Sequence, residues 1–223
     1  MWLIIPFKGK DEIKQRLSER LNEQQRSDLA FAMFASLLTA FDAFAKNNPR
    51  VIEQVLVVSR DINCLKHKAM PALHSIKASV FQEPASCQGL NSALDSALIE
   101  AEQQGAKRAL IMHADLPLVG EEDIAGLMND VANKNDQSLH IIQDKSKLGT
   151  NALMSPLPFL IPLLFGQDSC PKHMKQAMMQ GTPVKLLQQK HLAFDVDEVA
   201  DLDTLLAYDL PQNNPVSDFL STL

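Results

Sequence analysis

Apolar strand-like runs alternate with helix-like runs along almost the whole chain, and this alternation constrains the fold more than any other feature. The predicted strands are Trp2–Pro6, Gln54–Ser59, Ile76–Phe81, Arg108–His113, Ser138–Gln143, Asn151–Ser155, Val184–Leu187 and Leu192–Asp195. The predicted helices are Asn22–Lys46, Asn91–Gln104, Glu121–Asn133, Pro171–Gln180 and Glu198–Tyr208. This order is typical of an α/β fold with three α/β/α layers around a mostly parallel, mixed sheet. We predict one domain over residues 1–210 and a loose C-terminal tail over residues 211–223.

The charge and cysteine content argue against several classes of function. The chain has 223 residues and a formal net charge of -6, whereas nucleic-acid-binding proteins usually carry a basic surface. Its cysteines, Cys64, Cys87 and Cys170, form no CxxC pair, which favours a reduced cytoplasmic protein. The apolar stretch Leu29–Ala45 contains polar residues and falls short of the ~20 residues that a membrane span needs. We therefore expect a core helix there, and neither nucleic acid nor a membrane as partner.

An aspartate follows the apolar run Arg108–His113 directly, in the segment Ala114-Asp115-Leu116-Pro117-Leu118. Ligands of open α/β sheets bind outside the carboxyl ends of the strands. Mg²⁺ takes one or two carboxylates together with substrate phosphates. Asp115 is therefore a candidate metal ligand, although a strand-end aspartate can equally cap the following helix.

Cations follow the first predicted strand. Pro6 ends that strand, and Lys8, Lys14 and Arg16 come after it. Lysine and arginine on a loop beside a sheet edge are suited to neutralise a polyphosphate. The alternative is a solvated loop, since acidic residues lie nearby in the sequence.

Three segments combine glycine with small polar residues in positions that suit anion binding. Gly89 and Asn91 lie at the start of a predicted helix, and Gly149-Thr150-Asn151 leads into an apolar strand. The segment from Gly166 to Ser169 comes before the helix that carries His173. Backbone N–H groups at helix starts and in tight turns bind phosphates and carboxylates. Ordinary capping and turn formation explain the same residues.

A second acidic pair, Asp195-Val196-Asp197, follows the last predicted strand. Side chains two residues apart lie on one side of an extended chain. We expect one or both carboxylates to face Asp115 and complete a magnesium site; the alternative is an acidic loop that caps the last helix.

The familiar nucleotide fingerprints GxGxxG and GxxxxGK[ST] are absent, as is the GxSxG elbow of hydrolases. The series of motifs that is present resembles the guanylyltransferases of coenzyme F420 biosynthesis, which act on 2-phospho-L-lactate or phosphoenolpyruvate. The matching residues are Pro6-x-Lys8, Lys14-x-Arg16-Leu17, Val57-Val58-Ser59-x-Asp61, Gly89-Leu90-Asn91, Ala114 to Leu118, Gly149 to Leu153, Phe165-Gly166-x-x-Ser169 with His173, and Asp195-Val196-Asp197 with Asp201-Leu202.

The resemblance implies a nucleotide-diphospho-sugar transferase-like fold and Mg²⁺-dependent transfer of GMP from GTP to the phosphate of a small phosphorylated carboxylic acid. It implies metal ligands at Asp115, Asp195 and Asp197, and catalytic contacts from Asp115, Lys8, Lys14 and Arg16. It implies nucleotide contacts from Pro6, Lys8, Lys14, Arg16, Ser59, Gly89 and Asn91, and acceptor contacts from Thr150, Asn151, Gly166, Ser169 and His173. His113 departs from the family pattern, in which apolar residues are more common.

Three alternatives remain open from the sequence. The acceptor could be another phospho-acid such as 3-phosphoglycerate, the nucleotide could carry another base, or the fold could serve as a non-catalytic nucleotide-binding module. A homodimer is an additional expectation, through the apolar helix or through Phe219 and Leu220 of the tail.

Overall fold

The computed structural model describes residues 1–7, 14–60, 73–130 and 136–223. Its strands are β1 Trp2–Pro6, β2 Gln54–Ser59, β3 Lys77–Gln82, β4 Arg108–Met112, β5 Leu139–Gln143, β6 Thr150–Pro156 and β7 Val184–Leu187. Its α-helices are α1 Glu23–Asn47, α2 Leu90–Gln103, α3 Glu121–Asp130, α4 Ser169–Met179, α5 Val199–Leu206 and α6 Pro215–Leu220, and a short 3-10 helix spans Gln15–Leu17. The predicted end of the third helix at Asn133, like Lys8, Asp61 and Cys64, lies outside the described residues.

One seven-stranded sheet runs in the order β3-β2-β1-β4-β6-β5-β7. Only β6 is antiparallel to its neighbours, pairing with β4 on one side and β5 on the other. The remaining pairs in this sheet are parallel. The prediction of an α/β fold with a mostly parallel, mixed sheet is therefore confirmed.

Side chains on the two faces of the sheet form two separate cores. Alternation along β4 sends Leu110 and Met112 towards α1 and α3, and sends Ala109 and Ile111 towards α2 and α4. Both cores are closed by helices, which gives the predicted three layers. The carboxyl ends of β1 and β4, which are adjacent and parallel, consequently lie together at one edge of the sheet.

Helix α1 is the central helix of the first core. A capping box starts it, because the Asn22 side chain accepts from the backbone N–H of Gln25 and the Gln25 side chain accepts from that of Asn22. By length and composition α1 could cross a membrane, but 67% of its most apolar window is buried inside the protein. Phe34, Leu37 and Phe41 are fully buried against the sheet, as expected of a core helix.

The predicted strand Leu192–Asp195 is wrong. This segment instead forms a turn, in which Ala193 N–H donates to the Gln189 carbonyl at 2.9 Å and Phe194 N–H donates to that of His191 at 3.3 Å. Leu192 is apolar because it is buried in the core below the turn, not because it belongs to the sheet.

The predicted loose tail is also wrong. Residues Pro215–Leu220 form α6, and Asn214 is its N-cap. The Asn214 side chain accepts from Val216 N–H and donates to Ser36 Oγ of α1 at 3.0 Å. Val216 is fully buried in a third core between α1, α5 and α6, and Phe219 and Leu220 pack on the same core. The tail thus packs on its own domain, where Phe219 and Leu220 are partly buried.

Because α6 is packed on the third core, we expect a substitution at its buried side chain to lower the stability of the protein. Val216→Ala removes two buried methyl groups, so we expect it to lower the free energy of unfolding by about 1–3 kcal/mol. Urea denaturation measures the change, and Leu223→Ala, at a side chain that is 48% exposed, is the matched control, with an expected effect within about 0.5 kcal/mol. Equal effects from the two substitutions would contradict the docking of α6.

Candidate active site

A cavity of about 430 Å³ opens at the edge where β1 and β4 end. Its polar side chains come from three parts of the chain that are far apart in sequence. The lining residues are Pro6, Phe7, Lys14, Gln15, Arg16, Ala30, Met33, Leu90, His113, Ala114, Asp115 and Asp197. This is the sheet edge where ligands of open α/β folds bind.

Lys14 joins the two acidic segments of this cavity. Its Nζ donates to Asp115 Oδ2 at 2.6 Å and to Asp197 Oδ1 at 2.7 Å. The acidic segments are also held together through the backbone, since Val196 N–H donates to the Asp115 carbonyl at 3.3 Å. The structure thus brings Lys14, Asp115 and Asp197 into direct contact.

Charge in this cluster stays separated at neutral pH. Burial favours neutral Lys14, but the Asp115 and Asp197 carboxylates outweigh it and raise the pKa of the lysine. Burial likewise favours protonated Asp115, but Lys14 and His113 lower the pKa of this carboxyl. An ammonium group is therefore fixed beside ionised carboxylates, which suits a site that binds both cations and phosphates.

Asp195 differs from Asp197 although only Val196 separates them. Burial, reinforced by the nearby Asp115 charge, raises the pKa of Asp195 to about 6 even though Lys145 opposes the shift. Among the described residues, Asp195 Oδ1 is buried without a hydrogen-bond partner, and Lys145 Nζ lies 3.8 Å from it. One oxygen of this carboxylate is thus unsatisfied, although Asp195 does not line the cavity.

Lys145 is a component of the site that the sequence analysis missed. Its Nζ donates to the Asp195 backbone carbonyl at 2.8 Å and forms an ion pair with Asp201 at 2.6 Å. Asp201 in turn accepts from the backbone N–H groups of Asp197 and Glu198. The position of Lys145 just beyond a strand, β5, was the available sequence signal, and its function here is to hold the acidic segment in place.

Of the other predicted phosphate-binding residues, some line the cavity and others do not. Pro6 and Arg16 line the cavity, and the exposed Arg16 guanidinium pairs with Glu198 at 3.3 Å. Ser59 is buried at the end of β2 and does not line this cavity.

Asn91 fastens the start of α2 to the loop before α4. Its side-chain amide donates to the Phe165 carbonyl at 3.0 Å and accepts from Phe165 N–H at 2.8 Å. Gly89 precedes α2 with a positive φ of 87°, which glycine adopts without strain. Asn91 therefore positions the Phe165–Gly166 loop through both its amide nitrogen and its amide oxygen.

Several predicted acceptor residues are occupied by structural contacts. Leu164 N–H donates to His173 Nε2 at 2.9 Å, so Nδ1 carries the ring proton and donates to Thr150 Oγ1 at 3.1 Å. Burial lowers the pKa of His173 to about 4, so the ring is neutral. Asn151 is likewise buried, donating to the Leu192 carbonyl at 3.1 Å. These side chains hold the loops around the site, whereas Gly166 is exposed beside Phe165.

The structure does not assemble the predicted three-carboxylate metal site directly. Among residues 1–7, 14–60, 73–130 and 136–223, no three His, Cys, Asp or Glu side chains are grouped closely enough to hold a metal ion. Lys14 lies between Asp115 and Asp197 instead. The metal-binding assignment of Asp115, Asp195 and Asp197 stays a prediction.

Comparison with known proteins identifies the family of this chain. Residues 1–220 match the family model described as "Guanylyl transferase CofC like". The chain belongs to this family. The resemblance found in the sequence is confirmed, and the protein is a guanylyltransferase.

Relatives of this CofC-like guanylyltransferase differ in the acceptors that they are named for. A phosphoenolpyruvate guanylyltransferase of Sphaerobacter thermophilus is 32% identical over 92% of this chain and 92% of its own length. A 3-phospho-D-glycerate guanylyltransferase of Colwellia psychrerythraea is 26% identical over 99% of this chain and 98% of its own.

Solved structures show the same fold at low sequence identity. A protein of Desulfovibrio desulfuricans G20 assigned to the nucleotide-diphospho-sugar transferases superposes with a TM-score of 0.72 at 15% identity, covering 99% of this chain and 96% of that one. The 4-diphosphocytidyl-2C-methyl-D-erythritol synthase of Anaerococcus prevotii has a TM-score of 0.57 at 11% identity, covering 93% and 94%. The nucleotide-diphospho-sugar transferase-like fold is thereby confirmed.

Because the pKa of Asp195 is raised, we expect the stability of this guanylyltransferase to depend on pH. The folded state binds this proton more tightly than the unfolded state does, so stability falls as the pH rises from about 4 to about 6. Asp195→Asn removes that penalty. We expect it to raise the free energy of unfolding by about 1–3 kcal/mol at pH 7.5, with a smaller difference towards pH 4.

Urea denaturation at both pH values, in a chelator, measures this difference. Asp209→Asn changes an exposed carboxylate and is the matched control, for which we expect no pH-dependent difference. If Asp195→Asn changes the free energy of unfolding equally at pH 4 and pH 7.5, the raised pKa of Asp195 is contradicted.

Proposed function

We propose that this enzyme transfers GMP from GTP to the phosphate of a small phosphorylated carboxylic acid and releases pyrophosphate, as a step of coenzyme F420 biosynthesis. The observation that carries the proposal is the Lys14–Asp115–Asp197 cluster inside a cavity at the sheet edge of a guanylyltransferase.

The names of the relatives support two kinds of acceptor. The Sphaerobacter relative supports phosphoenolpyruvate, or 2-phospho-L-lactate of similar size, as the acceptor. The Colwellia relative, which is named for 3-phospho-D-glycerate, supports 3-phosphoglycerate as a second candidate.

The reaction needs few groups from the protein. An acceptor phosphate oxygen, already anionic, forms a bond to the α-phosphorus of GTP, while the bond from this phosphorus to the bridging oxygen of the β-phosphate breaks. The bonding electrons leave with pyrophosphate, and no proton has to be removed from the acceptor. Catalysis therefore consists of positioning and charge neutralisation, for which Lys14 and Arg16 are suited, together with Lys8 outside the described residues.

We propose Mg²⁺ as the cofactor. Asp115, Asp197 and Asp195 fit it chemically, since they offer the hard carboxylate oxygens that Mg²⁺ prefers and one buried oxygen of Asp195 lacks a hydrogen-bond partner. Bound Mg²⁺ neutralises charge on the phosphates of the nucleotide. Lys14 competes with a cation for Asp115 and Asp197, and once released it can donate to phosphate oxygens.

We propose that the triphosphate lies along Lys14 and Arg16, with Pro6, Ser59 and the start of α2 at Gly89 and Asn91 on the nucleotide side. The acceptor then lies towards Gly166 and Ser169, whose backbone follows the loop fixed by Asn91. Thr150, Asn151 and His173 act there as positioning residues, through the contacts described above.

Assembly and location complete the proposal. The described cysteines Cys87 and Cys170 are free and buried, consistent with a reducing cytoplasm.

A homodimer would use apolar surface other than Phe219 and Leu220. Helix α4 offers such a surface, since it exposes Met174, Met178 and Met179. Light scattering of the purified protein measures the mass in solution. The proposed reaction involves neither nucleic acid nor a membrane.

Release of pyrophosphate tests the reaction. With GTP and Mg²⁺, we expect release only when 2-phospho-L-lactate, phosphoenolpyruvate or 3-phosphoglycerate is added. Asp115→Asn weakens charge neutralisation, so we expect kcat/KM to fall about 100-fold or more. Asp203→Asn, at an exposed carboxylate paired with Arg20, is the matched control and should keep full activity. Unchanged activity in Asp115→Asn would overturn its role.

Lys14→Met separates the two roles of the lysine. Without the ammonium group, Asp115 and Asp197 repel each other unless a cation binds, so Mn²⁺ or Mg²⁺ should bind more tightly in the absence of GTP. Affinity for GTP should fall about tenfold or more, because a charged hydrogen-bond donor is lost. Calorimetric titration measures both. Lys107→Met changes an exposed lysine as the control, and weaker metal binding by Lys14→Met would contradict the competition.

A further inference from the structure

His113 is a polar residue of the cavity whose role the reaction above does not explain. It follows β4 directly, and its backbone N–H donates to the Asn151 carbonyl at 3.0 Å, which extends the pairing of β4 with β6 by one residue. The ring lies two residues from Asp115 and lines the same cavity. It is therefore adjacent to the reacting groups without belonging to their ion-pair cluster.

The ring of His113 is held by an apolar contact and leaves its nitrogen atoms unused. It packs on the Phe165 ring with centroids 5.2 Å apart in an edge-on arrangement. Phe165 packs in the same way on His173, at 5.1 Å. Within the part of the chain that the structure describes, neither nitrogen atom of His113 has a hydrogen-bond partner.

His113 contacts both regions that the proposed function assigns to the substrates. It lines the cavity together with Lys14 and Asp115. Its ring also packs on Phe165, which leads into Gly166 and is fixed to α2 by Asn91. A phospho-acid placed between the Lys14 cluster and the Gly166 loop would lie against the imidazole.

The arrangement proposed above gives the phosphate and the carboxylate of the acceptor partners of suitable chemistry. In it, the phosphate lies near the cations of the reaction centre and the carboxylate lies against the backbone of the Gly166–Ser169 segment. In phosphoenolpyruvate and 2-phospho-L-lactate, what remains is a methylene or a methyl group, which cannot hydrogen-bond an imidazole. In 3-phospho-D-glycerate, what remains is a hydroxyl group, which can.

We propose that His113 is a specificity-determining residue that hydrogen-bonds a hydroxyl group of the acceptor, so that the enzyme favours 3-phospho-D-glycerate over acceptors without that hydroxyl. The inference rests on the proposed function and names the substrate class of the same site. A partly buried polar group that the right substrate satisfies is left unpaired by an analogue lacking the hydroxyl. That asymmetry gives discrimination against phosphoenolpyruvate and 2-phospho-L-lactate.

A pair of acceptors that differ by one hydroxyl tests the proposal directly. 3-Phosphooxypropanoate is 3-phosphoglycerate without its hydroxyl group. We expect wild-type kcat/KM to be about tenfold or more higher for 3-phospho-D-glycerate, with phosphoenolpyruvate and 2-phospho-L-lactate also below it. In His113→Leu the ratio within the pair should approach one, and His113→Asn, which keeps a donor and an acceptor, should retain part of it.

Two controls separate recognition from folding and from nucleotide binding. His74→Leu makes the same change at an exposed histidine, and should leave the ratio as in wild type. Affinity for GTP, measured by calorimetry, should be unchanged in His113→Leu. If His113→Leu does not fold, the proposal is still tested by the ratio of kcat/KM for the two acceptors in the wild-type enzyme and in His113→Asn.

The possible failures are distinguishable. A wild-type enzyme that prefers phosphoenolpyruvate or 2-phospho-L-lactate, or a ratio within the pair that His113→Leu leaves unchanged, overturns the inference and leaves the proposed function standing. Loss of GTP affinity in His113→Leu with an unchanged ratio overturns it as well, assigning His113 to the nucleotide. No pyrophosphate release with any acceptor overturns the proposed function and, with it, the inference.

Discussion

The ion pairs of Lys14 are the interaction on which the arrangement of this site depends. They join residues separated by 101 and 183 positions in the chain, from the segment after β1, the end of β4 and the segment before α5. Without the ammonium group, Asp115, Asp195 and Asp197 would be carboxylates crowded at one sheet edge. Burial, with the repulsion of Asp115 and Asp197 added to it, already raises the pKa of Asp195 to about 6. A bound cation or Lys14 has to balance this charge, which makes the lysine both a structural partner and a competitor for metal.

Buried polar side chains give the rest of the site its shape. Asn91 holds the backbone of Phe165 through two hydrogen bonds, and His173 holds Leu164 and Thr150. Because buried polar groups without partners cost free energy, these contacts fix each loop in one conformation. The Phe165 ring, set in this way, supports the His113 ring. Among the described residues, no side chain or backbone group hydrogen-bonds the His113 ring, which leaves its nitrogen atoms free for a ligand.

The accuracy of the predicted elements follows from how local their signals are. The predicted β2 was right to the residue because a continuous apolar run between polar residues is a short-range signal, and the Asn22 capping box of α1 was right because both partners are three residues apart. The strand Leu192–Asp195 was wrong because an apolar residue can be buried from a turn as well as from a strand. The sequence does not indicate that residues Pro215–Leu220 dock on the domain, because their one fully buried side chain, Val216, packs with helices that are distant in the chain.

The sequence by itself determined the fold class, the family and the position of Asp115 and Lys14, since strand ends and ordered motifs can be read locally. Only the tertiary structure decided what each polar residue contacts. It placed Lys14 between Asp115 and Asp197, assigned Lys145 to the acidic segment, and used Thr150, Asn151 and His173 for loop contacts. It also left the His113 ring without a hydrogen-bond partner among the described residues, in the same cavity as Lys14 and Asp115. The physical reason is that hydrogen bonds and ion pairs are decided by atoms brought together across the sheet edge, and separation along the chain does not record that proximity.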